Sequence, residues 1–258
     1  MSTIPHTLYP IPGNRQILRP LFAAIKHERP LIDSILSGEI GTAIADHPDH
    51  PTIALIYHWC FTILAGDPNH LLAAELVRRI PPEPSMIPST DAWQRVVEEV
   101  LGPPKEILDL TEFEPDAIDH DKIVAMMARV PEGFQIVRMG DAEARRASVR
   151  FDFDFNEALG SIENFLEDGI GFCALTESRE VAAIALSLFV AGGGIEITVE
   201  THPDFQRRGL GGAVAAHLVD YALNHHLKPR WVGTNEVSCV LARRLGFVES
   251  GRYQLHEY

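Results

Sequence analysis

Two short stretches hold much of the chemistry-bearing side chains of this 258-residue chain: GIEITVET, Gly194 to Thr201, and FQRRGLGG, Phe205 to Gly212. The first has the period of two expected of a strand, with Ile195, Ile197 and Val199 on one face and Glu196, Thr198 and Glu200 on the other. One face is core, and the other is a polar stripe on what should be a central strand, where side chains ordinarily pack; this singles out Glu196 and Glu200. Four residues apart, the two carboxylates stand roughly 13 Å from each other along a strand, too far to share one proton. They are expected to act separately.

The second stretch turns out of that strand into a long amphipathic pattern, GGAVAAHLVDYALNHH. A sharp strand-to-helix turn aims several N–H groups at one point, where the helix dipole also favours negative charge. Glycines there permit left-handed dihedrals and close approach of a ligand. The expected function of the turn is therefore to hold phosphate through the amides from Arg207 to Gly212. A Walker A loop is excluded because no Lys-Ser/Thr pair follows the glycines. The dinucleotide fingerprint is excluded because Gly209, Gly211 and Gly212 lack its third-glycine spacing and no parallel βαβ unit opens the chain.

What remains, Gln206-Arg207-Arg208-Gly209-Leu210-Gly211, resembles the Q/R-x-x-G-x-G/A signature by which GNAT-fold acyltransferases hold the pyrophosphate of coenzyme A. About thirty residues downstream, NEVSCVLARRLGF is similar to that family's closing element, an Asn before a helix ending in Leu-Gly-Phe. The likeness covers Phe134 to about Tyr253 and looks closest to the subgroup of zwittermicin A resistance-type acetyltransferases, in which a divergent N-terminal half precedes the GNAT domain.

The resemblance implies acetyl-CoA as cosubstrate and an N-acetyltransferase that passes the acetyl group directly to a small-molecule amine in a ternary complex. Gln206, Arg207, Arg208, Gly209, Leu210, Gly211 and Gly212 would hold the pyrophosphate. The backbone of Thr198, Val199 and Glu200 would pair with the pantetheine arm, and Asn235 and Ser238 would face it. Glu196 lies near the usual general base, and Glu200 near the bulge whose N–H polarises the thioester carbonyl. Asn235 or Ser238 would equally cap the last helix. Many relatives place a tyrosine acid four residues before the Gly-Phe pair, where this chain has Ala242. A thiol pKa of about 8.5 makes the thiolate a tolerable leaving group, and Ser238, water or Tyr253 would substitute. That departure also admits another class of protein, a non-catalytic acyl-CoA-binding or regulatory module.

The remaining composition narrows the partners. With 36 acidic against 22 basic side chains, the net charge of −14 argues against nucleic acid, whose binding relies on Lys and Arg neutralising phosphates, and suits a cationic small molecule. Cys60, Cys173 and Cys239 are far apart and odd in number, which indicates a reducing compartment and buried apolar roles. The N-terminus has no signal-like pattern and no apolar run reaches membrane-spanning length, so a cytoplasmic location is expected, without membrane association and as a monomer or homodimer. The twelve histidines show no paired metal-ligand spacing.

Positioning these groups requires a mixed sheet. From Phe134, FQIVRMG reads as a strand, DAEARRASV and SIENFLEDG as helices, and IGFCALTE with EVAAIALSLFVAG as a hairpin. GIEITVETHP, a helix, PRWVGTN and a last helix ending at Gly246 follow. The expected fold class is α+β: a GNAT-fold domain over residues 126–258, with a mainly antiparallel sheet flanked by helices, after a divergent α/β domain over residues 1–125. That N-terminal half would act as a lid, a degenerate GNAT-like unit or a dimerisation half. Within it, Leu31 to Leu36 and HLLAAELVRRI read as helices, Thr52 to Gly66 as a buried strand or hairpin, and Pro81 to Pro88 as a break. A helix capped near Asp91 closes at Gly102, and no internal repeat is apparent.

Overall fold

The computed structural model describes residues 7–159, 161–187 and 189–258. The chain divides into two compact units. Unit 1 runs to Leu110 and includes Arg252–Tyr258, and unit 2 is Thr111–Gly251. The boundary expected near residue 125 lies in the acidic, proline-bearing stretch Thr111 to Gly133, at the start of unit 2.

Unit 1 carries β1 (Tyr9–Pro10), α1 (Arg19–Phe22), α2 (Arg29–Ser37), β2 (Thr42–Ala45), β3 (Ile53–His58), β4 (Phe61–Gly66), α3 (Ala73–Val77), β5 (Ser85–Ile87) and α4 (Asp91–Leu101), and is followed by β6 (Glu106–Glu114). Unit 2 continues with α5 (His120–Met127), β7 (Phe134–Arg138), α6 (Asp141–Phe151), α7 (Phe155–Leu159), α8 (Ile162–Asp168), β8 (Ile170–Thr176), β9 (Val181–Ser187), β10 (Val190–Ala191), β11 (Gly194–Thr201), α9 (Leu210–Asn224), β12 (Lys228–Gly233) and α10 (Glu236–Leu245). It is followed by β13 (Val248–Glu257).

Apart from α5 and β10, which have no counterpart in the first series, the two series repeat one order: a strand, helices, three antiparallel strands, a helix, a strand parallel to the third, a helix and a last strand. In unit 1 the parallel pair is β4 with β5, Phe61↔Ser85 to Ile63↔Ile87. In unit 2 it is β11 with β12, Gly194↔Lys228 to Ile197↔Trp231. The last strands are exchanged. Thr111 to Phe113 of β6 pair with β12 inside unit 2, while His256 and Glu257 of β13 pair with β5 inside unit 1. A repeat that the residues did not disclose is thus present in the topology.

The hairpins and helices of unit 2 follow the expected pattern. The β8–β9 hairpin pairs from Ile170↔Ser187 onward, and all seven β9 residues are buried. Helix α9 is rich in alanine, a strong helix former, and buries Leu210, Val214, Leu218 and Val219. They pack in one core with Ile195, Ile197 and Trp231, and each such side chain contributes about 1.5–3 kcal/mol by leaving water. Its C-terminus closes without glycine: His226 adopts φ 57°, and the Leu227 N–H reaches Ala222 O at 2.9 Å.

In unit 1, Thr52 to Gly66 is the β3–β4 hairpin, and Trp93 of α4 is buried with its indole N–H donated to Gly66 O at 3.0 Å. Thr90 rather than Asp91 caps α4, its hydroxyl accepting from the Trp93 amide. The Pro81 to Pro88 break holds a strand after all, because β5 fits between Pro84 and Pro88 and loses no amide of its own. Cys173 and Cys239 are buried, as expected, but Cys60 is only half-buried. Burial pushes the Cys173 thiol up to about 12, so it is inert as a nucleophile.

Candidate active site

The polar stripe and the glycine turn meet at the C-terminal end of β11. Along that strand Ile195 and Ile197 are buried, Glu196 is half-buried and Thr198 and Glu200 are exposed, as the period of two requires. Pairing with β12 stops at Ile197↔Trp231, and from Thr198 to Thr201 the strand pairs with β9, Thr198↔Leu186 to Thr201↔Ala183. Among the described residues β11 therefore has strand partners on one edge only from Thr198 onward. Its other edge there presents backbone groups of the kind an extended amide chain would pair with.

Beyond Thr201 the chain makes a single 3₁₀ turn, Pro203–Phe205, and Gln206 anchors it by donating to Thr201 O at 3.2 Å. Arg207 takes φ 61° and Gly209 φ 86°. A side chain other than glycine is strained at such angles by about 1 kcal/mol or more, so the structure holds Arg207 there at a cost. Gly209 caps α9, and the first intrahelical bond is Ala213 N–H to Gly209 O at 3.1 Å. The amides of Leu210, Gly211 and Gly212 precede it and are the orphan donors of the helix.

The three glycines serve different ends. A Cβ on Gly209 would meet nothing within 4 Å, so its need is the dihedral; a Cβ on Gly211 would meet Thr201 Oγ1 at 3.0 Å, so its need is close packing of helix on strand. Gly212 has only ordinary contacts, with Met126 and Leu241. Arg208 lies over the Phe205 ring, 5.6 Å from its centroid, and Arg207 is exposed.

The register places Glu196 beside Arg230 of β12, and the β6–β12 pairing, which begins at Trp231↔Phe113, brings Glu114 of β6 within reach of Arg230. Arg230 ion-pairs with Glu114 at 3.2 Å and with buried Glu112 at 3.9 Å, and Lys228 with Glu114 at 2.7 Å. Sequence reasoning missed this row, although the alternation in KPRWVG sets Arg230 on the face opposite Trp231. Glu200 retains solvent contact, yet the adjacent sheet withholds enough water to raise its carboxyl above the ordinary Glu value, against the opposing pull of His202.

Asn235 and Ser238 come together at the start of α10. The Asn235 side-chain oxygen accepts from the Ser238 amide at 2.9 Å, which is the expected cap. The Ser238 hydroxyl accepts from the Trp231 indole N–H at 2.9 Å and so keeps its own proton to donate. Gly246 at φ 93° ends the helix, with Phe247 N–H on Ala242 O. Ala242 is fully buried. Tyr253 belongs to unit 1, where its hydroxyl donates to Glu28 and its ring stacks on His27.

The GNAT acetyltransferase family profile matches residues 19–256, nearly the whole chain. The chain belongs to the GNAT acetyltransferase family. Its α+β architecture, a mixed sheet flanked by helices, is the GNAT fold. A GCN5-related N-acetyltransferase-like protein from Streptococcus suis superposes with a TM-score of 0.81 at 26% identity, over 94% of this chain and 98% of that one. A tandem GNAT protein from the clavulanic acid biosynthesis pathway shares the fold at a TM-score of 0.62 and 12% identity, over 97% and 98% of the two chains.

Among curated sequences, the uncharacterized N-acetyltransferase YdfB of Bacillus subtilis is 22% identical over 175 residues, 67% of this GNAT chain and 65% of that protein. The ribosomal protein bS18 alanine N-acetyltransferase of Escherichia coli K12 is 30% identical over 79 residues, 30% and 53% of the two lengths. The chain thus spans about two thirds and about half of these relatives. No helix among the described residues is long and apolar enough to cross a membrane.

Proposed function

We propose that the protein is an acetyl-CoA-dependent N-acetyltransferase that acetylates a small-molecule amine in a direct ternary complex. One observation carries this: β11 loses β12 as a partner after Ile197, just before the chain turns at Gly209 into the unpaired amides of α9. That is an extended slot leading to an anion cradle, and it fits a pantetheine arm joined to a pyrophosphate.

In this reading the amides of Leu210, Gly211 and Gly212 hold the pyrophosphate, and the Gln206–Arg208 loop sets their direction. The backbone of Thr198, Val199 and Glu200 pairs with the arm, and Asn235 and Ser238 face it from α10. The cosubstrate supplies a thioester whose acetyl group is transferred. Glu196 accepts the proton of the incoming amine, directly or through water. A backbone N–H near Glu200 donates to the carbonyl oxygen as charge develops there. The Glu200 carboxylate draws a cationic acceptor to the end of the stripe, and Ser238 passes a proton to the departing sulfur while taking one from water, so that its hydroxyl is restored.

Incubation with acetyl-CoA and a panel of amines, followed by thiol release, tests the proposal. If coenzyme A and acetyl-CoA cause no thermal shift at millimolar concentration, the cradle has been misread. Buried Ala242 at the family's tyrosine position favours a second reading, an acyl-CoA-binding module without turnover. A protein that binds acetyl-CoA but releases no thiol with any amine supports that module. The zwittermicin A resistance-type subgroup, a cytoplasmic location and a monomeric or homodimeric state complete the proposed picture.

A further inference from the structure

Unit 2 has a second cleft, about 670 Å³, between α6 and the β8–β9 turn. Its charged lining is four guanidiniums, Arg145, Arg146, Arg150 and Arg179, against one carboxylate, Glu180. Arg145 is already held by Asp141, at 3.0 and 2.7 Å, and by Glu163 at 3.1 Å, so the guanidiniums with donors to spare are Arg146, Arg150 and Arg179. These are partly prearranged. Glu143 accepts from Arg146 at 3.4 Å and from Arg179 at 2.9 Å, while its other oxygen accepts from the Gly140 amide, so one carboxylate holds two guanidiniums side by side.

Arg150 is the least satisfied member. Its Nε is buried without a hydrogen-bond partner, and its one bond is from Nη2 to His202 Nδ1 at 3.3 Å. Glu180 and Asp204 lie 3.8 and 3.9 Å away, within ion-pair range but beyond hydrogen-bond reach. Guanidinium forks with spare donors converging on one cleft match a tetrahedral oxyanion bidentately. Val149, 88% exposed, adds an apolar patch to the same lining. That suits an organic phosphate better than a bare ion. Arg150 also touches the cradle loop, lying 5.7 Å from the centroid of the Phe205 ring, which Arg208 approaches as well.

We propose that this arginine cleft binds a phosphate monoester beside the cradle. The phosphate has two sources: the 3′-phosphate of coenzyme A itself, or a separate phosphorylated metabolite. The first rests on the proposed use of acetyl-CoA, and the second does not.

Calorimetric titration of the full-length protein with acetyl-CoA, 3′-dephospho-acetyl-CoA and glycerol 3-phosphate separates them. If the cofactor is the source, acetyl-CoA binds at least about tenfold more tightly than its dephospho form, and Arg150→Ala abolishes the preference. If the source is separate, the two thioesters bind alike, and glycerol 3-phosphate binds saturably to the wild type but not to Arg150→Ala. Arg179→Ala, on the exposed turn, repeats either result should the Arg150 variant fold poorly. The proposal is overturned if the wild type shows no 3′-phosphate preference and no saturable glycerol 3-phosphate binding. It is also overturned if the Arg150 and Arg179 variants weaken both thioesters equally and leave glycerol 3-phosphate unchanged. Failure of both thioesters to bind would sink the acetyl-CoA reading alone, leaving glycerol 3-phosphate to decide the cleft.

Discussion

The same strand-turn-helix step occurs twice in this chain, with its backbone donors disposed differently. In unit 2, β11 turns through Gly209 into α9, and the first helical amides precede any intrahelical acceptor. In unit 1, β4 turns through Asp67–Leu72 into the short α3, and the turn consumes its own donors. Asp67 Oδ1 takes the Asn69 amide and Asp67 O takes that of His70. His70 Nδ1 takes the Leu72 amide, and His70 O that of Ala73. No glycine lies between Gly66 and α3. A phosphate site needs free donors at a helix start as well as the topology that makes one. In α3 the first helical amide, that of Ala73, is already taken by His70 O.

The largest effect that would sharpen this contrast is at the acid stripe, which in unit 2 leads to the proposed cradle. Glu196→Gln is expected to lower kcat/KM by about 10²- to 10⁴-fold, the usual share of a general base, with acetyl-CoA affinity preserved in calorimetry. Next is the turn itself. Gly209→Val forces a β-branched residue to φ 86°, and a penalty of about 1–2 kcal/mol weakens acetyl-CoA binding about tenfold.

The matching change in unit 1 should break the symmetry of effect. Asp67→Ala frees the Asn69 amide from its side-chain acceptor and costs about 1 kcal/mol of stability by chemical denaturation, yet leaves acetyl-CoA affinity unchanged. If Asp67→Ala weakened the cofactor as Gly209→Val does, the division of labour would fail.

The smallest effect is a pH dependence. The folded protein holds the Glu200 carboxyl above its unfolded value, so the folded state binds that proton more readily. Its contribution therefore favours folding at low pH and is lost as pH rises through the folded pKa. Glu200→Gln should be slightly more stable than wild type above that range, and the advantage should vanish in acid. Thermal melts from pH 4 to 8 read it directly.

The site was legible in the sequence where one local pattern decides one local geometry. The alternation in GIEITVET set the buried and exposed faces of β11, and Gly209 announced the turn. Asn235 three residues before Ser238 announced a cap. Groups brought together by register were less visible. Arg230 meets Glu196 only through the β11–β12 pairing, and the indole of Trp231 meets Ser238 across seven residues of strand and helix. The exchanged last strands were not legible, because β6 buries Glu112 beside Phe113 and so breaks the polar-apolar alternation. The repeat escaped notice for a similar reason. Only its topology is shared, while the turn chemistry at Asp67–Leu72 and at His202–Gly209 differs residue by residue.

The measurement that bears most directly on the account is a calorimetric titration of acetyl-CoA into the intact protein, with Gly209→Val and Asp67→Ala beside it. One site per chain, weakened by the unit 2 substitution and indifferent to the unit 1 substitution, is the predicted result. Two sites per chain, or a single site that Gly209→Val leaves intact, would contradict it.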